Sequence, residues 1–189
     1  MPDDHAHIEP GFDVDMAVLG GELPLAVHTL IRQAGAMRQQ VPLALTLLEE
    51  AHALAPDHPA TLIALYRFHF YGNRLSQARE VAVRALALAL RSLGLPMRWQ
   101  DVPPDARFNE LTPLPRFFLF TLKGYAYLSL RLGDVEQGRA AIERLALLDP
   151  RDRVGHRVLA EVLARSGRDD LGYEDCPDIG GAFVRGAAP

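Results

Sequence analysis

Leu122-Lys123-Gly124-Tyr125-Ala126-Tyr127-Leu128-Ser129-Leu130-Arg131-Leu132-Gly133-Asp134 decides how this chain is read. Large and small apolar residues alternate at helical spacing and stop at Gly133, a residue that tolerates the left-handed backbone on which helices end. Thirty-four residues after Gly133 comes Gly167, and Leu122 and Ala126 map onto His156 and Ala160 at the same shift. Upstream, Ile31 maps onto Leu65, His28 onto Leu62, Ala44 onto Ala78 and Ala51 onto Ala85, again thirty-four apart. Two separate pairs of segments share one period, and periods of this length mark stacked helical units.

Helical spacing accounts for the rest of the ordered chain. Leu43, Leu47, Leu48, Ala51 and Leu54 form one apolar stripe. Small residues at Ala44, Ala78 and Gly138 allow paired helices to approach closely, and Gly72-Asn73, Gly133 and Gly167 close helices. Asp57 before Pro59, and Thr112 before Pro113, are expected N-caps with proline in the first turn. Helices are predicted at roughly 23–38, 41–54, 59–71, 75–92, 114–132, 135–147 and 153–166, with no strand of any length.

The composition is that of a folded protein. Of 189 residues, 49% are hydrophobic and 23% charged, and the net charge of -4 argues against general affinity for nucleic acid or anionic membrane. Lysine occurs once, at Lys123, with arginine supplying the other basic residues, a usage expected of a GC-rich bacterial genome. The single cysteine, Cys176, excludes an internal disulfide, and its acidic neighbours Glu174, Asp175 and Asp178 should dull the thiol. The first residues, Met1-Pro2-Asp3-Asp4-His5, are acidic where a secretory signal is basic, so a cytoplasmic location is the expectation.

The segment Leu122, Tyr125-Ala126, Gly133, Gly138, Ile142, Leu145 and Asp149-Pro150 resembles the tetratricopeptide repeat family, whose pattern is a hydrophobic-small pair, a turn glycine, small residues in a second helix and a closing proline. A second unit runs through Leu62, Leu65, Asn73, Ala78, Ala82 and Ala85, with Pro56 closing the unit before it. The large aromatic that opens each family unit is missing, and Tyr66 fills a slot usually small. The resemblance covers about residues 25 to 168. It implies an all-α, right-handed stack of antiparallel helical hairpins, about 3.5 repeats, and a role as a protein-protein interaction adaptor or chaperone. The middle stretch also resembles small tetratricopeptide proteins encoded among bacterial nitrogen-fixation genes. Small size and repeat number bring in the type III secretion chaperones by analogy of fold alone.

Three segments follow. Residues 1–22 form an N-terminal cap or flexible piece, 23–168 the helical domain, and 169–189 an acidic and then small-residue tail. Within the domain an insertion near 93–116 carries five prolines from Pro96 to Pro115 and the single tryptophan, Trp99. It is weighed as a loop site centred on Trp99, or as a flap whose Trp99 and Phe108 pack on the stack. The tail is weighed as an internal ligand for the groove or as a hydrophobic cap.

The resemblance implies a concave groove lined by the first helix of each hairpin. The residues expected to bind a partner there are Arg67, Phe70, Tyr71, Lys123, Tyr127, Arg131, Arg157 and Arg165, five bases interleaved with aromatics. They suit a peptide with acidic and apolar side chains. The carboxylate clamp of heat-shock co-chaperones is disfavoured, because its slots carry Thr29, Gln33, Ala64, Phe120 and Gly124. No phosphate-binding glycine loop or catalytic constellation is present in the sequence, and Glu49 with His52 makes only half of a di-iron pattern. No enzyme activity, cofactor or metal is therefore expected. The alternative is a structural scaffold, a homodimer formed through the apolar N-terminus or the insertion.

Overall fold

The computed structural model of the chain describes residues 21–110 and 112–169, with side chains of the last helix described as far as Ala164. Every regular element among them is helical: α1 (Leu25–Ala36), α2 (Val41–Leu54), α3 (Pro59–Tyr71), α4 (Leu75–Leu93), α5 (Arg107–Glu110), α6 (Pro113–Arg131), α7 (Val135–Leu148) and α8 (Arg157–Asp169). The protein is all-α in its described part. No described helix is long and apolar enough to cross a membrane. The tail and nearly all of residues 1–22, with Cys176, lie outside the described residues.

Each helix packs chiefly on its neighbours in sequence, and α4 joins the two halves by packing on both α3 and α6. The two halves turn identically. The Gly72-Asn73-Arg74 turn places Asn73 at φ +54, and the Leu132-Gly133-Asp134 turn places Gly133 at φ +81. In the first turn Arg74 N donates to His69 O and Asn73 N to Phe70 O, at 2.9 and 3.0 Å. Sixty residues on, Asp134 N donates to Ser129 O and Gly133 N to Leu130 O, at 2.9 and 3.1 Å. These are the doubled bonds of a left-handed helix stop, available to glycine and asparagine at low cost. The small residues do what their spacing predicted. Ala44 and Ala78 are fully enclosed, and a methyl group added to Gly138 would meet the Leu130 side chain at 2.5 Å.

One expected cap holds its place, Thr112 before Pro113, and the other needs correction. His58, not Asp57, caps α3, its Nδ1 accepting from Ala60 N at 3.2 Å, while Asp57 sits exposed beside Arg91 at 3.4 Å. Thr112 does precede α6, but its hydroxyl makes no capping bond.

The insertion is a packed flap. Trp99, at the start of a short 3-10 turn, is only 9% exposed and lies 5.8 Å from the Tyr125 ring. Phe108, on α5, is fully buried against Phe118. Three arginines staple the flap to the stack through carbonyls: Arg107 to Leu93 O (2.8 Å), Arg144 to Val102 O (3.1 Å) and Arg153 to Phe108 O (2.8 Å). Prolines prevent a continuous helix, and buried anchors replace helical bonds as the source of order.

The last helix begins at Arg157, four residues later than the repeat predicts. The loop in between is built on two aspartates. Asp149, 1% exposed, accepts from Val154 N at 2.9 Å, and Asp152 accepts from His156 N and Arg157 N at 2.6 and 3.1 Å. Asp152 and Gly155 both hold left-handed backbone, φ +55 and +69. Short carboxylates that bond nearby amides offer the chain an alternative to helix, and here the alternative wins.

Candidate functional site

The expected groove residues separate into a set that meets and a set that does not. On α3, Phe70 stacks on Tyr66 at 5.6 Å and meets the edge of Tyr71 at 5.6 Å. Across on α6, the Tyr127 ring lies 5.8 Å from Phe70. Arg131 completes the row, donating from Nη1 to Tyr127 Oη at 2.7 Å with its guanidinium 5.7 Å from that ring. The contact is possible because Tyr66 lies against Gly124, where an added methyl would fall 2.7 Å from the Tyr66 oxygen. Large against small on facing helices is why Tyr66 fits a slot that the repeat pattern fills with a small residue. Residues 66 and 70 meet 124 and 127 in ascending order, so α3 and α6 run side by side in the same direction.

Beyond Tyr71 the row opens into a cavity of about 620 Å³ between α1, α2 and α3. Ile31, Ala34, Leu48, Ile63 and Phe68 make its apolar surface, and Arg38, Arg67, Tyr71 and Arg74 stand in its walls. The cavity has a cause in the sequence. At the thirty-four residue shift, Ala34-Gly35-Ala36 of α1 occupies the slots that Phe68-His69-Phe70 fills on α3. A methyl group added to Gly35 would meet nothing within 4 Å. Volumes of this size with apolar walls and a few polar groups are those of binding pockets.

Lys123 is not part of this surface. It is half-buried, and its ammonium donates to Val154 O at 2.7 Å beside the Asp152 carboxylate. Burial pushes its pKa below the ordinary lysine value, with Asp152 pulling the other way. Its ammonium holds the loop after α7. Arg157 is exposed and donates to Pro150 O at 3.3 Å. The side chain of Arg165 lies outside the described residues. Trp99 is enclosed in the flap, so the loop presents no free indole.

The loop after α7 also gathers Asp149, Asp152 and His156, one donor atom from each falling within 4.8 Å of the others. Its chemistry is that of a capping network. Both carboxylates already accept backbone amides, Arg153 Nε stands 3.7 Å from Asp149, and the Lys123 ammonium is within electrostatic reach of Asp152. A second cation entering there would meet two resident positive charges.

Comparison with known proteins adds one relationship. The chain is 37% identical over 164 residues to a protein of Azotobacter chroococcum mcd 1 described as an uncharacterized 19.8 kDa protein in the nifW 5′ region. The match covers 84% of this chain and 91% of that one. The two belong to one family. No family model matches the chain, and no solved structure matches it.

One titratable group borders the cavity. Arg74, which packs over Phe68 at 4.3 Å and donates to its carbonyl at 2.7 Å, also donates from Nε to His69 Nδ1 at 3.2 Å. His69 is thus held neutral. Burial lowers its pKa below the ordinary 6.5, and Arg74 and Arg84 push the same way against Glu49 and Glu80. Burial lowers His52 likewise, with its Nδ1 3.0 Å from Thr61 Oγ1. A histidine depressed in the folded state binds fewer protons than when unfolded, so stability rises with pH through that window. Stability is expected to be complete above about pH 6.5 and to fall as the pH drops below it, and His69→Gln should flatten part of the fall. Melting curves from pH 7.5 to 5 check this; equal slopes for parent and variant would remove His69 from the account.

Proposed function

We propose that this protein is a tetratricopeptide-type scaffold that binds a segment of a partner protein carrying apolar and acidic side chains. The observation that carries the reading is the continuity of the site. Tyr71 both lines the apolar cavity and begins the aromatic row through Phe70 and Tyr127 to Arg131. A bound segment can sink an apolar side chain between α1 and α3 and set carboxylates against Arg38, Arg67 and Arg131. Charge-assisted bonds and aromatic burial both contribute to such binding. Equivalent turns at 72–74 and 132–134, and the parallel course of α3 and α6, support a repeat stack with first helices forming one face. The clustered ionisable groups cap a loop, which favours a scaffold over an enzyme. The position of the Azotobacter relative beside nifW supports an accessory role in a cytoplasmic nitrogen-fixation system for this chain too.

Selection of a displayed peptide library on the full chain tests the reading. Selected peptides should be rich in acidic and large apolar residues. Tyr71→Ser combined with Arg131→Glu should weaken them at least tenfold, about 1.4 kcal/mol, with an unchanged melting temperature, since Tyr71 and Arg131 are exposed. Peptides without that bias, or binding that ignores the double variant, would overturn it.

A further inference from the structure

The cavity between α1 and α3 is more selective than its apolar floor alone requires. We infer that it takes an aromatic side chain of the partner segment, with one carboxylate next to that ring and a second within about five residues of it, toward Arg131. The inference rests on the proposed peptide-binding role and names the residue pattern that the site accepts.

Repeat equivalence calls for the ring. Ala34-Gly35-Ala36 on α1 stands thirty-four residues before Phe68-His69-Phe70 on α3, so α1 lacks three rings at slots that the next unit fills with rings. Ala34 and Gly35 line the hollow, and Gly35 faces open space where its equivalent, His69, carries an imidazole. The walls suit the same occupant. Phe68 and Tyr71 present rings to the cavity, and the Arg74 guanidinium already packs over Phe68 at 4.3 Å. An entering ring gains edge or stacked contacts from the two aromatics and cation–π contacts from the arginines, whereas a leucine of similar bulk gains neither.

Charge complementarity calls for the first carboxylate. The lining holds Arg38, Arg67 and Arg74 and, among the described residues, no aspartate or glutamate. This excess of positive charge is local, in a chain whose net charge is -4. An acid next to the anchor therefore meets guanidinium groups as the ring goes in, and such pairs form the stronger, charge-assisted bonds.

Reach fixes the second carboxylate. The steps from Tyr71 to Phe70, from Phe70 to Tyr127 and from Tyr127 to the Arg131 guanidinium are 5.6, 5.8 and 5.7 Å. Laid end to end, they are covered by about five extended residues at about 3.3 Å each. Arg131 gives one N–H to Tyr127 Oη, and a guanidinium carries further donors for an incoming acid.

Fluorescence polarisation with defined peptides on the full chain tests the pattern. The probe is a labelled glycine-serine peptide of about ten residues carrying one phenylalanine, an aspartate beside it and a glutamate about five residues away, made in both sequence orders. At least one order should bind, and replacing its phenylalanine by leucine should cost roughly fivefold. Gly35→Leu, which fills the hollow from a position with open space, should remove the preference for phenylalanine. Arg38→Glu, at an exposed position, should weaken the probe roughly fivefold, with the circular dichroism of both variants unchanged. Absence of binding in both orders, equal binding of the leucine and phenylalanine peptides, or a preference that survives Gly35→Leu would each overturn the inference. Phenylpropionate binding as tightly as the probe would give the cavity to a free small acid, and a dimer that Gly35→Leu makes monomeric would give it to a second copy; either result overturns the inference too. Leucine-tolerant binding alongside a library still rich in acidic and apolar residues would strike this pattern and leave the peptide-binding reading standing.

Discussion

Replacing Lys123 by glutamate is expected to destabilise the protein by roughly 3 kcal/mol and to lower its melting temperature by about 6–12 °C. The ammonium is the donor that satisfies Val154 O, at 2.7 Å, in the non-helical loop between Leu148 and Arg157. A glutamate there removes the donor and brings a third carboxylate to Asp149 and Asp152, whose own positions are fixed by the amides they cap. Repulsion in a half-buried setting is only partly screened, so the loop, and with it the seating of α8, should give way. Lys123→Met separates the contributions: it loses the hydrogen bond and adds no repulsion, and about 1–2 kcal/mol is expected. Thermal and guanidinium unfolding of both variants measure the difference. A Lys123→Glu protein that melts with the parent would show that the loop stands without the ammonium.

That expectation differs from what the sequence alone suggests for the same residue, and the reason is physical. Counting along α6 at helical spacing places Lys123 on the same side as Tyr127 and Arg131, and all three do lie on one stretch of the helix. What the count lacks is the length of the loop after α7. The repeat predicts a helix starting near 153, and a helix there would have left the lysine facing solvent. The carboxylates of Asp149 and Asp152 capture the amides of Val154, His156 and Arg157 instead, and the detour carries the Val154 carbonyl over Lys123. Competition between local side-chain bonds and the helix ladder involves small energy differences, which a residue pattern does not rank.

Elements whose ends are set by strong local chemistry were legible. Prolines in the first turns of α2, α3 and α6, and glycine or asparagine at the turns after α3, α4 and α6, mark ends that agree with the pattern, and α2, α3, α4, α6 and α7 all lie within a residue of where the pattern puts them. The thirty-four residue shift also contained the cavity, through Ala34-Gly35-Ala36 opposite Phe68-His69-Phe70, although only the folded arrangement of α1 beside α3 turns missing side chains into a hollow. The flap was open to two readings because Trp99 and Phe108 look alike as binding aromatics and as core. Burial decides between them, and the carbonyls that Arg107, Arg144 and Arg153 reach are tertiary facts.

The second large effect is expected at Gly124, where fold and site meet. An added methyl would lie 2.7 Å from the Tyr66 oxygen and 3.3 Å from the ring carbon that bears it, and Tyr66 is 3% exposed with nowhere to retreat. Helix propensity by itself favours alanine over glycine by about 1 kcal/mol, so a neutral or stabilised Gly124→Ala would mean the contact is slack. Overpacking in a closed core costs more than that, typically about 1–3 kcal/mol, and the clash should win. Gly124→Leu should cost about 3 kcal/mol or more, because a branched side chain cannot share the space at all. Tyr66→Phe removes the atom at 2.7 Å and leaves the one at 3.3 Å, so it should recover much of the loss in the Gly124→Ala background. That coupling is a double-mutant cycle with a definite sign. The effect carries into function through the stack of Tyr66 on Phe70 and the approach of Phe70 to Tyr127. A displaced Tyr66 moves the aromatic row, so Gly124→Ala should weaken the peptides selected on the parent chain, and Tyr66→Phe should restore both stability and binding together. Restored stability without restored binding would show that the row between α3 and α6 is core and that the partner engages the cavity alone.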